Sequence, residues 1–292
     1  MKIFDKIKTG DKMGYLMSMP YILYFAIFIA FPLIFSFILI FHKWNIITPM
    51  EFVGTRNFER LFQDTQFFKA VTNTLLFLVI HIPLQIIFAL ILAVFLNQKL
   101  KMRGLFRAVF FLPVVVSGVV ITILWMQLYS NETGLFNLIL HKLGLAGIPW
   151  INDPAYAMPS IAVMATWKNV GLYVVLFLVG LQNIPVSLYE AAQTDGANEW
   201  QKFFYITIPG LNNSMILVVI LSTIGGFSLF IEPFVMTAGG PMSSTLSAIL
   251  YIYNQAFYFG HMGYAATLGF VFAFFVLIVV LIQKKIVEQS GA

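Results

Sequence analysis

The sequence predicts an all-α polytopic membrane protein with six transmembrane helices, and three observations support this. The 292 residues are 60% hydrophobic and 10% charged, whereas soluble domains carry about 25% charged residues. Mean hydropathy is +0.89. Six stretches approach or exceed the roughly 20 apolar residues that a helix needs to cross the hydrocarbon core. Such a composition excludes a cytosolic enzyme, a secreted domain and a nucleic-acid binder.

The six predicted spans are separated by loops of different character. They run over Pro20–Phe41, Asn73–Leu96, Leu105–Leu128, Ala157–Leu181, Leu211–Val235 and Tyr264–Ile282. Prolines lie inside the first three spans, where neighbouring helices can satisfy the carbonyls that proline leaves unbonded. The predicted organisation is an N-terminal part, residues 1–66, with the first span and an outer loop, and a core, residues 67–286, that holds spans two to six.

The charged residues predict orientation. The chain has 17 Lys and Arg against 12 Asp and Glu. With the N-terminus inside, eleven basic residues fall on the cytoplasmic side and five on the outer side, and the positive-inside rule then places both termini in the cytoplasm. The absence of cysteine excludes disulfides and thiolate chemistry. The four histidines are scattered, so no metal site is predicted.

The loop between spans four and five, residues 183–209, has an internal structure of its own. Pro185 or Ser187 can begin a short helix, and Asp195-Gly196 can turn the chain after it. A second helical piece is predicted from Glu199 to Tyr205. These features are typical either of a knob that docks another protein or of an ordinary interfacial loop.

The spacing within this loop resembles a known family pattern. Glu190-Ala191-Ala192, Gly196, Ile206 and Pro209 fall at the spacings of the EAA loop of binding-protein-dependent ABC importer permeases. Ile208 is the one departure, because the family commonly has leucine there. The resemblance implies the type I ABC importer permease fold.

Other segments extend the resemblance over nearly the whole chain. They are Phe52–Phe58, Asn73–Leu75, Arg103–Arg107, Phe111–Pro113 and Thr237–Pro241. Together they are similar to the first permease subunit of sugar importers of the maltose and glycerol-3-phosphate type, in the compact form that lacks a large outer domain.

The resemblance implies a role for the loop and a set of partners. The residues that would couple the chain to an ATPase are Glu190, Ala191, Ala192, Asp195, Gly196 and Ala197. The implied partners are a second homologous permease, two ATP-binding cassette subunits that carry ATP and Mg, an extracytoplasmic solute-binding protein, a carbohydrate and the lipid bilayer of a bacterial or archaeal plasma membrane. The chain has no Gly-Lys pair for a phosphate-binding loop, so it is predicted to be no enzyme and to hold no cofactor itself.

The fourth span supplies the first candidate substrate contacts. Trp167, Lys168 and Asn169 lie at mid-depth, where polar groups are costly and therefore informative. Counted back from Glu190, they match a stretch that contributes to the sugar cavity in maltose-type permeases. Trp167 could stack on a sugar ring while Lys168 and Asn169 bond hydroxyls. Alternatively, Trp167 lies at the membrane interface and a neighbouring helix satisfies Lys168.

The fifth span supplies the other candidates, which are Ser222, Gly225, Gly226 and Leu229. In maltose-type permeases the matching positions include polar and aromatic sugar contacts. Here three of them are Gly, Gly and Leu, which suggests a different or bulkier substrate. Close helix packing is the alternative role for the glycines.

Glu232 raises the question of what balances Lys168. The two lie about seven residues apart in depth, or about 10 Å at 1.5 Å per residue. That separation favours a Glu232 that reaches the outer surface over one that pairs with Lys168.

We expect a permease for an oligosaccharide or glycoside. The alternatives are glycerol-3-phosphate as substrate and, from another class, a proton-coupled secondary transporter.

Overall fold

The computed structural model describes residues 9–98 and 101–290. Lys2, Lys6, Lys8 and Lys99, which contribute to the predicted orientation, lie outside the described residues. The chain forms two compact units. Of the described residues, one unit contains 9–63 together with Ile252–Val271, and the other contains 64–98, 101–251 and 272–290.

The first unit begins with a long apolar helix. It consists of α1 (Thr9–Phe25), a π-helical turn (Ala26–Ala30) and α2 (Phe31–Leu39). Its stretch Gly14–Leu39 is apolar enough to cross a membrane, yet only 6% of its most apolar window is buried. Almost the whole side surface of this helix is therefore open to lipid or to another protein.

A small hairpin follows this helix. Strands β1 (His42–Lys43) and β2 (Glu51–Phe52) pair antiparallel, with Lys43 opposite Glu51. Helix α3 (Arg56–Phe62) packs beneath them, and buried Asn57 donates from Nδ2 to the carbonyl oxygens of Ile40 (2.8 Å) and His42 (3.1 Å). The rest of the unit is a π-helical turn (Asn254–Tyr258) and the first part of the final long helix.

The second unit is a bundle of helices. Its elements are α4 (Thr65–Asn97), α5 (Arg103–Val115), α6 (Gly118–Leu128), α7 (Leu135–Lys142), α8 (Pro154–Asn183), α9 (Val186–Thr194), α10 (Glu199–Lys202), a π-helical turn (Phe203–Thr207), α11 (Ile208–Gly210), α12 (Asn212–Phe227) and α13 (Ile231–Met236). Helix α14 (Ala248–Tyr253) crosses the boundary between the units, as does α15 (Met262–Ser290).

The second span begins earlier than the sequence predicts. Helix α4 starts at Thr65 rather than near Asn73 because Asp64 caps it: Asp64 Oδ1 accepts from the amide of Phe67 at 3.0 Å. Asp64 Oδ2 also accepts a hydrogen bond from the hydroxyl of Tyr251 at 2.6 Å. An acidic cap satisfies amides that no helical partner can reach, so the helix extends by two turns.

The third span is broken where the sequence predicts one continuous helix. Helices α5 and α6 meet at a bend of 99°. Val116 and Ser117 adopt non-helical backbone angles there, shortly after Pro113 in the last turn of α5. Of the helices in the described ranges, five are long and apolar enough to cross a membrane, and the count is six when this bent pair is taken as one span.

The fifth span also departs from a continuous helix. Helix α12 ends at Phe227, and α13 begins at Ile231 after three non-helical residues. Ser247 Oγ donates to the carbonyl of Leu229 at 2.7 Å, which satisfies a backbone group that the break leaves open. The short connection between α12 and α13 positions the candidate site.

The core of the second unit lies between α4, α8 and α12. Its buried residues are Ala89, Ala93, Leu96, Val170, Tyr173, Val174, Phe177, Leu178, Leu181, Ile184, Leu211 and Val218. Small residues let the helices approach closely. At Gly226, for example, a Cβ atom would overlap the side chain of Leu78. The same glycine faces the candidate site, so packing and site formation share this position.

Candidate functional site

The loop 183–209 folds as two short helices joined by a tight turn. Helix α9 is followed by Gly196 at φ +83°, a backbone conformation that glycine adopts without strain. The amide of Gly196 donates to the carbonyl of Gln193 (3.1 Å), and that of Ala197 donates to Ala192 (2.9 Å). These two bonds form a Schellman motif, which ends a helix with a glycine in this conformation.

The second half of the loop is fixed by its own cap. Asn198 accepts from the amide of Gln201 (2.9 Å), and the side chain of Gln201 accepts from the amide of Asn198 (2.8 Å). This reciprocal pair is a capping box at the start of α10. Tyr189 and Thr207 join the two halves through their hydroxyls at 2.9 Å. Helix α9 begins after Pro185, and Ser187 lies inside the helix rather than capping it.

The six predicted coupling residues divide into two groups. Ala192, Asp195, Gly196 and Ala197 line a shallow cavity of about 280 Å³. Glu190 and Ala191 lie outside this lining and are exposed. Helix α9 has no buried residue, and the exposed side chain of Glu190 carries a negative charge into solvent. The arrangement leaves a small, acidic helical surface exposed.

A larger cavity of about 470 Å³ lies between α4, α8, α12 and α13. Six of the seven predicted substrate residues line it: Lys168, Asn169, Ser222, Gly225, Gly226 and Leu229. Tertiary packing thus brings the candidates of the fourth and fifth spans to one surface. The amide of Asn169, which is half-buried, makes no hydrogen bond to any other described residue, so it can bond a ligand.

Trp167 is placed differently from the sequence expectation. It does not line the cavity; its side chain is 43% exposed, and its ring lies 5.5 Å from that of Trp125. Successive helical residues point about 100° apart, so a helix that turns Lys168 and Asn169 towards the cavity turns Trp167 away. Stacking of Trp167 on a sugar in this cavity has no support in this geometry.

Lys168 forms an ion pair with Glu232, which corrects the expectation that Glu232 reaches the surface. Lys168 Nζ donates to Glu232 Oε1 at 2.9 Å, and the two side chains are only 15% and 10% exposed. The depth count fails because it assumes one straight helix through residue 232. The break after Phe227 starts a new helix at Ile231, which lets Glu232 lie beside α8.

The ion pair lies where two broken spans meet. A Cβ atom at Gly118 would lie 2.9 Å from Lys168 Nζ and 3.3 Å from Cδ1 of Ile231. Gly118 is the first residue of α6, directly after the 99° bend in the third span. The absence of a side chain at Gly118 makes room for the ammonium group of Lys168. The pair thus joins α8 to α13 against the start of α6.

The lining also includes three aromatic residues that the sequence reasoning missed. They are Phe77, His81 and Tyr173. His81 lies 2.9 Å from the hydroxyl of Thr166 through Nδ1, and its ring stacks on Phe77 at 4.8 Å. A histidine inside a span is a signal that could have identified this wall. Tyr173 follows Asn169 by four residues, which places both on one helix face.

The chain is similar to known proteins over most of its length. Residues 66–289 match the family model "Binding-protein-dependent transport system inner membrane component". The chain belongs to this family. It is therefore a multi-pass permease of the plasma membrane and a transport subunit. The type I ABC importer permease fold predicted from the EAA spacing is confirmed.

Individual relatives of this permease cover almost its whole length. The lactose transport system permease protein LacF of Rhizobium radiobacter is 38% identical over 94% of this chain and 93% of that protein. The arabinooligosaccharides transport system permease protein AraP of Bacillus subtilis (strain 168) is 38% identical over 97% of this chain and 90% of its own. A chain of a bacterial ABC transporter involved in importing the acidic polysaccharide alginate superposes with a TM-score of 0.82 at 25% identity, covering 96% of each chain.

Proposed function

We propose that this permease is one subunit of an ATP-driven importer that takes up a neutral oligosaccharide or glycoside. Family membership supports binding-protein-dependent transport, and the two relatives at 38% identity are named for lactose and arabinooligosaccharides, which carry no charge. The structural neighbour involved in alginate import is less similar, at 25% identity. The choice between neutral and acidic sugars rests on the cavity.

The charge of the cavity is the observation that carries the proposal. Lys168 and Glu232 are the charged side chains of the described lining, and they neutralise each other at 2.9 Å. The remaining polar lining, which includes Asn169, Ser222 and Tyr173, offers uncharged donors and acceptors. Sugar hydroxyls fit such groups. An anionic substrate would need a cation that is not already paired, which argues against glycerol-3-phosphate.

The energy source and the partners complete the proposal. Two partner ATP-binding cassette subunits would carry ATP and Mg and would dock on α9, where Glu190 is exposed. A second permease would complete the pathway, and an extracytoplasmic binding protein would deliver the sugar. Both termini would lie in the cytoplasm. A proton-coupled carrier would need an acid free to release a proton, whereas Glu232 is held by Lys168.

Direct sugar binding tests the proposal. The assembled permease–ATPase complex, without its binding protein, isolates the cavity from the binding protein's own selectivity. We expect lactose or arabinotriose to bind at least tenfold more tightly than digalacturonate in calorimetry. Proteoliposomes with all partners should then take up the neutral sugar when ATP is supplied and not when a non-hydrolysable analogue replaces it.

Two results would contradict the proposal. Tighter binding of digalacturonate would assign the cavity to acidic sugars. Sugar uptake by this chain alone, driven by a proton gradient, would assign it to secondary transporters.

A further inference from the structure

A second cavity, of about 570 Å³, lies within the first unit. Three of its lining residues are basic, Lys43, Arg56 and Arg60, and one is acidic, Glu51, so three positive charges less one negative leave two positive. We call this cavity the cationic cleft. Lys43 and Arg56 form no ion pair with any residue in the described ranges.

Arg60 is held in place within the cationic cleft. Its guanidinium carbon lies 3.9 Å from the centre of the Tyr264 ring, and Nη2 lies 3.4 Å from Gln255 Oε1. The pKa of His261 is lowered, first by burial and then by the positive charges of Arg60 and Lys43. His261 is therefore mostly neutral at pH 7, and the positive potential comes from the three basic side chains.

The cationic cleft adjoins an apolar one. A cavity of about 480 Å³ shares Asn45, Phe259 and Gly260 with it. Its other lining residues include Ile46, Ile47, Phe257 and Tyr258, and Ile47 is 91% exposed. Exposed apolar side chains next to a positively charged cleft form an amphipathic surface. Apolar patches of this type often mark interaction sites.

The position of both clefts relative to the membrane follows from the helices that adjoin their lining residues in sequence. The hairpin that supplies Lys43 begins three residues after α2 ends at Leu39, and the residues before Met262 directly precede α15. Both helices are membrane spans. The two clefts therefore lie at a membrane–water boundary, where aromatic side chains are enriched and lipid headgroups are found.

We propose that the two clefts together bind an anionic phospholipid. The phosphate would lie among Lys43, Arg56 and Arg60, and the glycerol and first acyl carbons would contact Ile47 and Phe257. The chemistry fits because a phosphate takes charge-assisted hydrogen bonds from guanidinium and ammonium groups. Basic residues at a membrane surface contribute about 1 kcal/mol each towards an anionic lipid.

Lipid binding to the assembled importer tests the site. Native mass spectrometry would measure the affinity of palmitoyl-oleoyl phosphatidylglycerol against palmitoyl-oleoyl phosphatidylcholine. Lys43→Gln with Arg56→Gln should weaken phosphatidylglycerol binding about 20- to 30-fold, the factor for two such charges. Lys142→Gln is the matched control, because Lys142 is an exposed lysine outside both clefts. It should change the affinity less than twofold.

A further variant and three possible outcomes distinguish lipid binding from the binding of other anionic ligands. Ile47→Ser should weaken phosphatidylglycerol binding and leave the affinity for inorganic phosphate itself unchanged, since Ile47 is exposed and outside the cationic cleft. Equal binding of the two lipids by the unaltered importer would overturn the proposal. So would an equal loss in the Lys142 control. If the double variant kept its preference for phosphatidylglycerol but lost ATPase stimulation by the binding protein, the cleft would be a protein-docking site.

Discussion

The predicted coupling loop and the candidate substrate cavity between α4, α8, α12 and α13 are built in opposite ways. The loop, residues 183–209, is exposed, and neighbours in sequence fix its turn: Gly196 bonds Gln193, and Asn198 bonds Gln201. The cavity lies between helices, and its central contact joins Lys168 to Glu232, 64 residues away. A turn that is held by hydrogen bonds between sequence neighbours keeps its shape when the rest of the molecule moves. A long-range contact inside the bundle changes only when helices move relative to one another.

The largest expected effect comes from the loop. Gly196→Pro should abolish ATPase stimulation by the loaded binding protein, because proline cannot adopt φ +83° and has no amide to bond Gln193. The measurement is ATP hydrolysis by the assembled importer in proteoliposomes, together with gel filtration to confirm assembly.

A second glycine provides the control for this variant. Gly144 also has a positive φ, +73°, and donates to His141, but it lies in the loop after α7. Gly144→Pro should leave ATPase stimulation within about twofold. If the two variants behaved alike, the loop would have no special role in coupling.

The cavity should respond through stability. Lys168→Met leaves the carboxylate of Glu232 without its partner in a largely buried place, and such a loss costs roughly 3–5 kcal/mol. We expect a lower unfolding temperature and loss of complex in detergent, measured by thermal unfolding and gel filtration. Adding Glu232→Gln should restore assembly, because it removes the unpaired charge.

An exposed lysine, Lys69, serves as the control that separates the effect of losing a positive charge from the effect of burial. Lys69 donates to the carbonyl of Met242 at 2.8 Å on the surface, so Lys69→Met should cost about 1 kcal/mol, the value of one hydrogen bond. Equal stability of the Lys168 and Lys69 variants would show that the buried pair is not structural. Failure of Glu232→Gln to restore assembly would show that the loss does not come from the unpaired carboxylate.

The smallest effect distinguishes two adjacent residues. Asn169→Ala should weaken sugar binding several-fold, since one hydrogen bond contributes about 0.5–1.5 kcal/mol. Trp167→Ala should leave sugar affinity within twofold, because the indole contacts Trp125 and not the cavity. Calorimetry on the assembled complex measures both. A larger loss for Trp167 would restore the stacking role that its sequence position suggested.

The same contrast explains what the sequence could predict. Proline, glycine and capping residues act on their neighbours, so α9 and its turn were predicted to within a residue or two. The six-span fold was predicted because apolar length alone decides it. The bend at Ser117 and the break after Phe227 were not predicted. Prolines inside spans are tolerated in continuous helices, so Pro113 did not indicate the bend, and no glycine or proline stands at residues 228–230.

The error about Glu232 follows from these breaks. Depth along a span was counted as if the helix were continuous, so a carboxylate that lies beside Lys168 was assigned to the surface. Trp167 was assigned to the cavity with Lys168 and Asn169 because the three match a cavity-forming stretch of maltose-type permeases, although helical neighbours face different directions. The cationic cleft was not predicted because its walls, residues 43–60 and 259–264, are far apart in the chain.

The Lys168–Glu232 pair also has an electrical consequence. A single charge moved across the whole membrane potential changes the free energy by about 2.3 kcal/mol per 100 mV. An ammonium and a carboxylate that move together carry no net charge, so their displacement does no work against that field. With an uncharged cargo, the displacement of this pair therefore adds no voltage dependence to the conformational cycle of this permease.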